Sequence, residues 1–81
     1  MNKNETTLRA RTVLARVLKV DLESIGDNAS QVDFANWDSV QHMNVVLALE
    51  NEFDIEFSDA ELPGLTTLPL MVASIESHSM A

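Results

Sequence analysis

The stretch that decides the fold is residues 38–55, which read DSVQHMNVVLALENEFDI. Its apolar side chains recur at helical spacing, and Asp38 and Ser39 place oxygen acceptors where a helix start needs them. We therefore predict a long helix that opens at Asp38-Ser39 and runs to Phe53.

The apolar arc of this helix is wider than a single core face requires. At about 100° per residue it spans roughly 220° of the helical wheel, interrupted by Glu50. One interpretation assigns the whole arc to the core. We prefer a second interpretation, in which the arc is divided into a core set and a set that stays partly exposed and contacts another molecule. The core set is Val45, Val46, Leu49 and Phe53. The exposed set, named the apolar flank below, is Val40, Met43 and Leu47.

An amphipathic first helix is predicted over residues 7–18. Its apolar face consists of Ala10, Val13, Leu14, Val17 and Leu18. Arg9, Arg11 and Arg16 fall largely on the opposite side, which predicts one mildly positive element.

Two helical segments are predicted after residue 57. Ser58-Asp59-Ala60-Glu61 forms a capping box that opens a short turn, and Pro63-Gly64 closes it. Thr66 or Thr67 then caps a last helix with Pro69 in its first turn, where a missing N–H costs little.

The segment from Asp21 to Trp37 has no sustained period and is predicted to be a long loop, anchored by Ile25, Val32 and Phe34. No stretch alternates like a strand for long enough to form a sheet. The predicted fold class is therefore all-α, a single domain over residues 1–81. It is a small bundle of three main helices plus one short helix, with a long first loop.

Charge narrows the classes of partner. The chain has 81 residues, 5 Lys and Arg against 13 Asp and Glu, and a net charge of −8. All five bases lie in the first 19 residues, so the rest of the surface is negative. This argues against nucleic acid and anionic membranes, and favours partners with basic surfaces. With no signal-like or membrane-spanning stretch, we expect a cytoplasmic protein.

The sequence gives little support for a catalytic site or a metal site. The chain has no Cys, and Ser39 has only His42 and His78 as potential bases, with no G-x-S-x-G motif. His42 falls within the apolar arc, as a packed or rim histidine does. A calcium loop at residues 21–32 fails at Ile25 and Val32. We predict no catalytic residue and no metal site.

Ser39 is the residue best placed to carry a covalently attached group. A phosphate attached there would meet free backbone N–H groups and the positive end of the helix dipole. The alternative is that Ser39 simply caps the helix.

Three motifs carry a family resemblance. They are Asp38-Ser39-Val40, the run from Val45 to Ile55, and Leu65-Thr66-Thr67-Leu68, with Asn28-Ala29-Ser30 at the expected distance before the serine. Together they resemble the acyl carrier protein family over roughly residues 13–68. The resemblance implies that Ser39 is the attachment site of 4′-phosphopantetheine, donated from coenzyme A, whose thiol carries an acyl group as a thioester.

The resemblance also implies roles for neighbouring residues and partners. Asp38 helps a phosphopantetheinyl transferase to recognise the serine. Val40, Met43, Leu47 and Glu50 contact partner enzymes or the acyl chain. The expected partners are that transferase and acyl-loading, ketosynthase or acyltransferase enzymes with basic docking surfaces, acting on a monomeric carrier that is not itself an enzyme.

Departures from the family pattern suggest which pathway is served. Gln41, Asn44, Ala48 and Asn51 leave the start of the long helix nearly uncharged, and the acids shift to its far end. Our hypothesis is a specialised stand-alone carrier in a fatty-acid, polyketide or related lipid pathway. Two alternatives remain open: a peptidyl or aminoacyl carrier that uses the same serine, and an unmodified helical interaction module.

Overall fold

The computed structural model describes residues 3–79, and the predicted all-α fold is confirmed over them. The helices are α1 (Lys3–Leu18), α2 (Ser39–Phe53) and α3 (Leu68–Ser79). Three single 3₁₀ turns lie at Leu22–Ser24, Gln31–Asp33 and Leu62–Gly64. Within the described residues there is no strand, only one isolated bridge between Ser30 and Thr67.

Helix α1 is the centre of the packing, since it lies against both α2 and α3, whereas α2 and α3 contact each other much less. The core lies where the apolar faces of the three helices meet, and residues of each helix are buried in it. Its fully buried side chains include Leu14, Leu18, Val45, Leu49, Met71 and Ile75.

Helix α2 has the bounds that its sequence predicts, and the two halves of its apolar arc separate. Val45, Val46 and Leu49 are buried, and Phe53 is half-buried against the core. Asp54 ends the helix in the left-handed conformation, with φ of 54°. The apolar flank is exposed, by 71% at Val40, 45% at Met43 and 58% at Leu47.

The prediction that Val32 anchors the first loop is wrong, because its side chain is 91% exposed. Val32 is the middle residue of a tight turn whose capping box joins Ser30 and Asp33, and this turn directs it outward. Ala29 and Trp37 are buried in its place, together with the predicted Ile25, while the predicted Phe34 packs partly buried against the core.

Two backbone hydrogen bonds fasten this loop to the start of α3. The N–H of Gln31 donates to the carbonyl of Thr66 at 2.8 Å, and the N–H of Leu68 donates to the carbonyl of Ala29 at 2.8 Å. These bonds therefore connect residues 29–31 of the loop to residues 66–68.

The short third helix differs from its prediction. Residues 59–61 form turns, and the single 3₁₀ turn at Leu62–Gly64 contains Pro63 and Gly64 instead of ending before them. The Glu61 carboxylate accepts the Ser58 N–H at 2.7 Å, as in a capping box, but the Ser58 hydroxyl donates to the same carboxylate at 3.0 Å. The serine oxygen therefore does not cap the turn, and residues 59–64 do not form an α-helix.

The arginines of α1 do not form a free positive face. Arg9 binds Glu52 through its carboxylate at 3.0 Å and its carbonyl at 2.8 Å. Arg11 donates to the carbonyl of Ile25 at 2.8 Å. Both side chains lie across the edge of the bundle, so of these three arginines only Arg16 is exposed.

Over the described residues, no helix combines the length and apolar character needed to cross a bilayer.

Candidate functional site

Ser39 is the first residue of α2 and is exposed to solvent. Its hydroxyl makes no hydrogen bond to any residue in the described range. The first N–H groups of an α-helix have no partners within the helix, and they carry the positive end of its dipole. Ser39 therefore presents a free hydroxyl at a place that favours an attached negative group.

Asp38 is the residue that caps α2. Its carboxylate accepts the N–H of Gln41 at 2.9 Å, and its carbonyl accepts the N–H of His42 at 2.8 Å. The interpretation of Ser39 as the helix cap is therefore wrong, because the neighbouring carboxylate fills that position. Asp38 holds the serine at the helix start while leaving its oxygen uncommitted.

His42 lies one turn beyond the serine and links two segments. The Trp37 indole N–H donates to its Nδ1 at 3.1 Å, so its Nε2 carries the proton and donates to the Leu62 carbonyl at 2.9 Å. The ring also stacks on Trp37 with a centroid distance of 6.1 Å. His42 is the predicted rim histidine. Since both of its nitrogens are engaged, it does not serve as a base for Ser39.

An open cavity of about 370 Å³ begins beside Ser39. Its walls come from the start of α2, the Leu62–Gly64 turn and the end of the first loop. They consist of Gln31, Ser39, His42, Met43, Leu62, Pro63 and Thr66. This space is lined by both apolar and polar side chains and connects the serine with the surface between α2 and the turn.

The structure brings together most of the residues predicted to act at the site. Ser39 and Met43 share the cavity, and Val40 and Leu47 continue along the same exposed surface of α2. Glu50 is half-buried instead, and its carboxylate accepts the N–H of Phe57 at 2.8 Å. Its contact with a partner or acyl chain stays a prediction.

Sequence reasoning missed the residues that shape the site from outside α2. Gln31 donates from its side-chain amide to the carbonyl of Trp37 at 3.0 Å, which braces the residue just before Asp38. Leu62 and Thr66 line the cavity from the opposite side. The one sequence signal for these contacts was the pair Trp37 and His42, which lie five residues apart on either side of Ser39. Their spacing alone does not specify the hydrogen bond between their side chains.

Comparisons with known proteins agree with this geometry. Residues 9–75 match the sequence model of a family described as a phosphopantetheine attachment site. The chain is also similar to the acyl carrier protein of Buchnera aphidicola subsp. Schizaphis graminum. The two are 32% identical over 76 residues, which cover 94% of this chain and 96% of that protein.

Proposed function

The chain belongs to the acyl carrier protein family, and on that premise we propose that Ser39 is the residue to which its 4′-phosphopantetheine group is attached. Members of this family are carriers and not enzymes. When bound, the group supplies a thiol that holds an acyl chain as a thioester. The protein has no Cys of its own, so the prosthetic group is its source of thiol chemistry.

The observation that carries this proposal is the division of tasks between Asp38 and Ser39. Asp38 caps α2, and the Ser39 hydroxyl is exposed and unbonded among the described residues. A phosphodiester at Ser39 would adjoin the first N–H groups of a 15-residue helix, where negative charge is stabilised. The residues present therefore fit the group.

Attachment requires little from the chain itself. The Ser39 Oγ attacks the phosphorus of coenzyme A that bears pantetheine, and a new P–O bond forms while the pyrophosphate P–O bond breaks. The nucleotide leaves as a bisphosphate, and the serine proton passes to a base on the transferase. In this step the chain positions the hydroxyl, and Asp38 keeps the helix start in place.

The pathway and the partners are part of the proposal. We assign the chain to fatty-acid, polyketide or related lipid biosynthesis, as a specialised carrier for acyl-loading, ketosynthase or acyltransferase enzymes. The support is its similarity to an acyl carrier protein and the uncharged start of α2. A cytoplasmic location and a monomeric state belong to the same proposal.

Two experiments test these statements separately. For attachment, intact mass is measured after incubation with coenzyme A, Mg²⁺ and a broad-specificity phosphopantetheinyl transferase, with the Ser39→Ala variant alongside. We expect the wild type alone to gain one phosphopantetheine, and an unmodified wild type would contradict the proposal.

For the pathway, a fatty-acid ketosynthase should elongate the acylated protein more slowly than a housekeeping carrier. Equal rates would contradict the specialised role.

A further inference from the structure

A second open cavity, of about 560 Å³, lies between α1 and α3. We call it the α1–α3 groove. Positions 4, 7, 8 and 11 of α1 line one side of it, and positions 69, 72, 73 and 76 of α3 line the other. Among the described residues, this groove shares no lining residue with the cavity beside Ser39.

The two walls of the groove have the same helical spacing. Residues three and four apart share one face of a helix, so each wall is a single helix face about 10 Å long, or two turns. Side chains of two neighbouring helices form ridges with a groove between them. The space between α1 and α3 therefore has the shape that a third helix fills.

The groove is apolar along its middle. Leu8 of α1 is 50% exposed, and Pro69 and Ala73 of α3 are exposed as well. Leu68 and Val72 also line the cavity, and both are buried. The fold thus leaves an apolar strip that the apolar side chains of another molecule can cover.

Carboxylates lie at both ends of this strip. Asp27 belongs to the loop segment that meets the start of α3, where the Leu68 N–H donates to the Ala29 carbonyl at 2.8 Å. Glu76 lies about 12 Å farther along α3 than Leu68. Asp27 is exposed and Glu76 is half-buried, and neither makes a hydrogen bond or ion pair within the described residues.

Arg11 is the cation of this lining, and it is bonded to backbone carbonyls. Its guanidinium donates to the carbonyl of Ile25 at 2.8 Å and to that of Leu22 at 3.3 Å. It therefore does not pair with Asp27 or Glu76, and the lining keeps an excess of negative charge.

We infer that the α1–α3 groove binds an amphipathic, basic helix of a partner protein. The apolar face of that helix packs on Leu8, Pro69 and Ala73, and its Lys or Arg residues, about two turns apart, pair with Asp27 and Glu76. A helix fits better than a strand, because the described residues offer no sheet edge to which a strand could add.

This inference goes beyond the proposed function, because it involves neither Ser39 nor its prosthetic group. A helix in the groove leaves the cavity beside Ser39 uncovered, since the two cavities have no lining residue in common. A partner bound there could therefore hold the carrier while the serine stays accessible to another enzyme.

The probe is a synthetic helical peptide with Leu at positions i, i+3, i+4 and i+7 and Lys on both sides of that face. One analogue has Glu in place of Lys, and another has a central Pro that breaks the helix. Each peptide is titrated into the full ¹⁵N-labelled chain in 0.15 M salt. The backbone amide shifts then give both the binding site and the Kd.

Leu8→Gln/Ala73→Gln tests the apolar strip, and Met43→Gln/Leu47→Gln on the apolar flank is its matched control. We expect the first variant to bind the Lys peptide about tenfold more weakly, as the loss of an apolar anchor does, and the control to stay within about twofold of the wild type. Circular dichroism and the unfolding midpoint establish that each variant is folded.

Asp27→Asn/Glu76→Gln tests the charges. Asp59→Asn/Glu56→Gln is its control, because it also removes one Asp and one Glu that have no partner among the described residues. The groove variant should weaken binding of the Lys peptide about threefold to fivefold. The control should weaken it less than about twofold, because its charges lie outside the groove.

The largest amide shifts should fall at residues 4–11 and 68–76. Largest shifts at residues 39–47, an equal loss in either control, equally tight binding of the Glu or Pro analogue, or no saturable binding would each overturn the inference. Leu8→Gln/Ala73→Gln should still gain phosphopantetheine at the wild-type rate. A wild type that stays unmodified would contradict the proposed function alone, so the two failures are distinguishable.

Discussion

At the residue scale, Asp38 and Ser39 illustrate how neighbouring side chains divide two tasks. The carboxylate satisfies an N–H of the helix start, and the hydroxyl stays free. A sequence pattern with two acceptors in succession does not say which of them is the cap. Only the backbone geometry, with Asp38 extended and Ser39 helical, makes that assignment.

This division predicts unequal stability effects for two adjacent substitutions. Asp38→Ala should lower the free energy of unfolding by about 1 kcal/mol, because an N-cap is lost. Ser39→Ala should change it by less than about 0.5 kcal/mol, because its hydroxyl stabilises nothing in the fold. Urea denaturation of both variants measures the difference, with Asp38→Asn as a capping control. A larger loss in Ser39→Ala than in Asp38→Ala would contradict the assignment.

His42 allows a second residue-scale prediction. Replacement by Leu would leave the buried Trp37 indole N–H and the Leu62 carbonyl without their partner. We expect His42→Leu to lower the free energy of unfolding by about 1–3 kcal/mol, although it adds apolar surface. Chemical denaturation at neutral pH is the measurement. A variant as stable as the wild type would show that water replaces the histidine without cost.

At the element scale, Arg9 adds polar contacts between α1 and the end of α2. Arg9 pairs with the Glu52 carboxylate, donates to the Glu52 carbonyl, and lies 4.6 Å from the centroid of the Phe53 ring. Arg16 reaches the same carboxylate only at 4.0 Å and is 66% exposed. The two residues therefore form a matched pair with unequal contacts.

Arg9→Met should lower the free energy of unfolding by about 1–2 kcal/mol, because a charged hydrogen bond and a cation–π contact disappear while the helix propensity stays similar. Arg16→Met should cost less than about 0.5 kcal/mol. Thermal and urea unfolding provide the comparison. Equal effects of the two substitutions would mean that net charge, and not the Arg9 contacts, determines the result.

The end of α3 is tied to the segment after α2 by Glu61. Its carboxylate accepts the Ser58 N–H and lies 3.0 Å from His78 Nε2. The Ser58 N–H is the main cause that holds the pKa of Glu61 below its ordinary value of 4.5, and His78 is the next. A carboxyl with a lowered pKa in the folded state contributes stability above its unfolded pKa, and loses that contribution as the pH falls through its folded pKa.

The difference in unfolding free energy between wild type and Glu61→Gln should therefore be fully present above the ordinary pKa of 4.5 and shrink as the pH falls through the lowered pKa of the folded state. Glu56→Gln is the control, since Glu56 is exposed and has no partner among the described residues. This control should change the free energy of unfolding less than Glu61→Gln does, because it removes one charge without removing a hydrogen bond. A difference for Glu61→Gln that grows on acidification would contradict the sign of the pKa shift.

Sequence reasoning succeeded where a segment carries long periodicity and explicit caps. The bounds of α2 followed from hydrophobic spacing over many turns, and the exposure of the apolar flank agrees with one of the two interpretations that this spacing allowed. It failed at single turns. The outward orientation of Val32 comes from the turn capped by Ser30 and Asp33, and bonds from residues 29–31 to residues 66–68 fasten that turn. Long-range pairing of this kind leaves no local pattern.

At the scale of the whole molecule, the net charge must be distinguished from the side chains that lie near Ser39. The net charge of −8 predicts partners with basic surfaces. Glu50, Glu52 and Asp38 each have a partner within the chain, and the exposed large apolar side chains of α2 are those of the apolar flank. The first property is a prediction from the composition. The second required knowledge of which carboxylates are already bonded, which only the folded chain provides.

The central claim is that Ser39 bears the prosthetic group, and tandem mass spectrometry of the modified wild-type chain tests it most directly. After incubation with coenzyme A, Mg²⁺ and the transferase, the protein is digested, and the fragment that carries phosphopantetheine is sequenced. We predict that the group is found on Ser39 alone, in one copy per chain. Its presence on any other serine, or a chain that remains unmodified, would contradict the account.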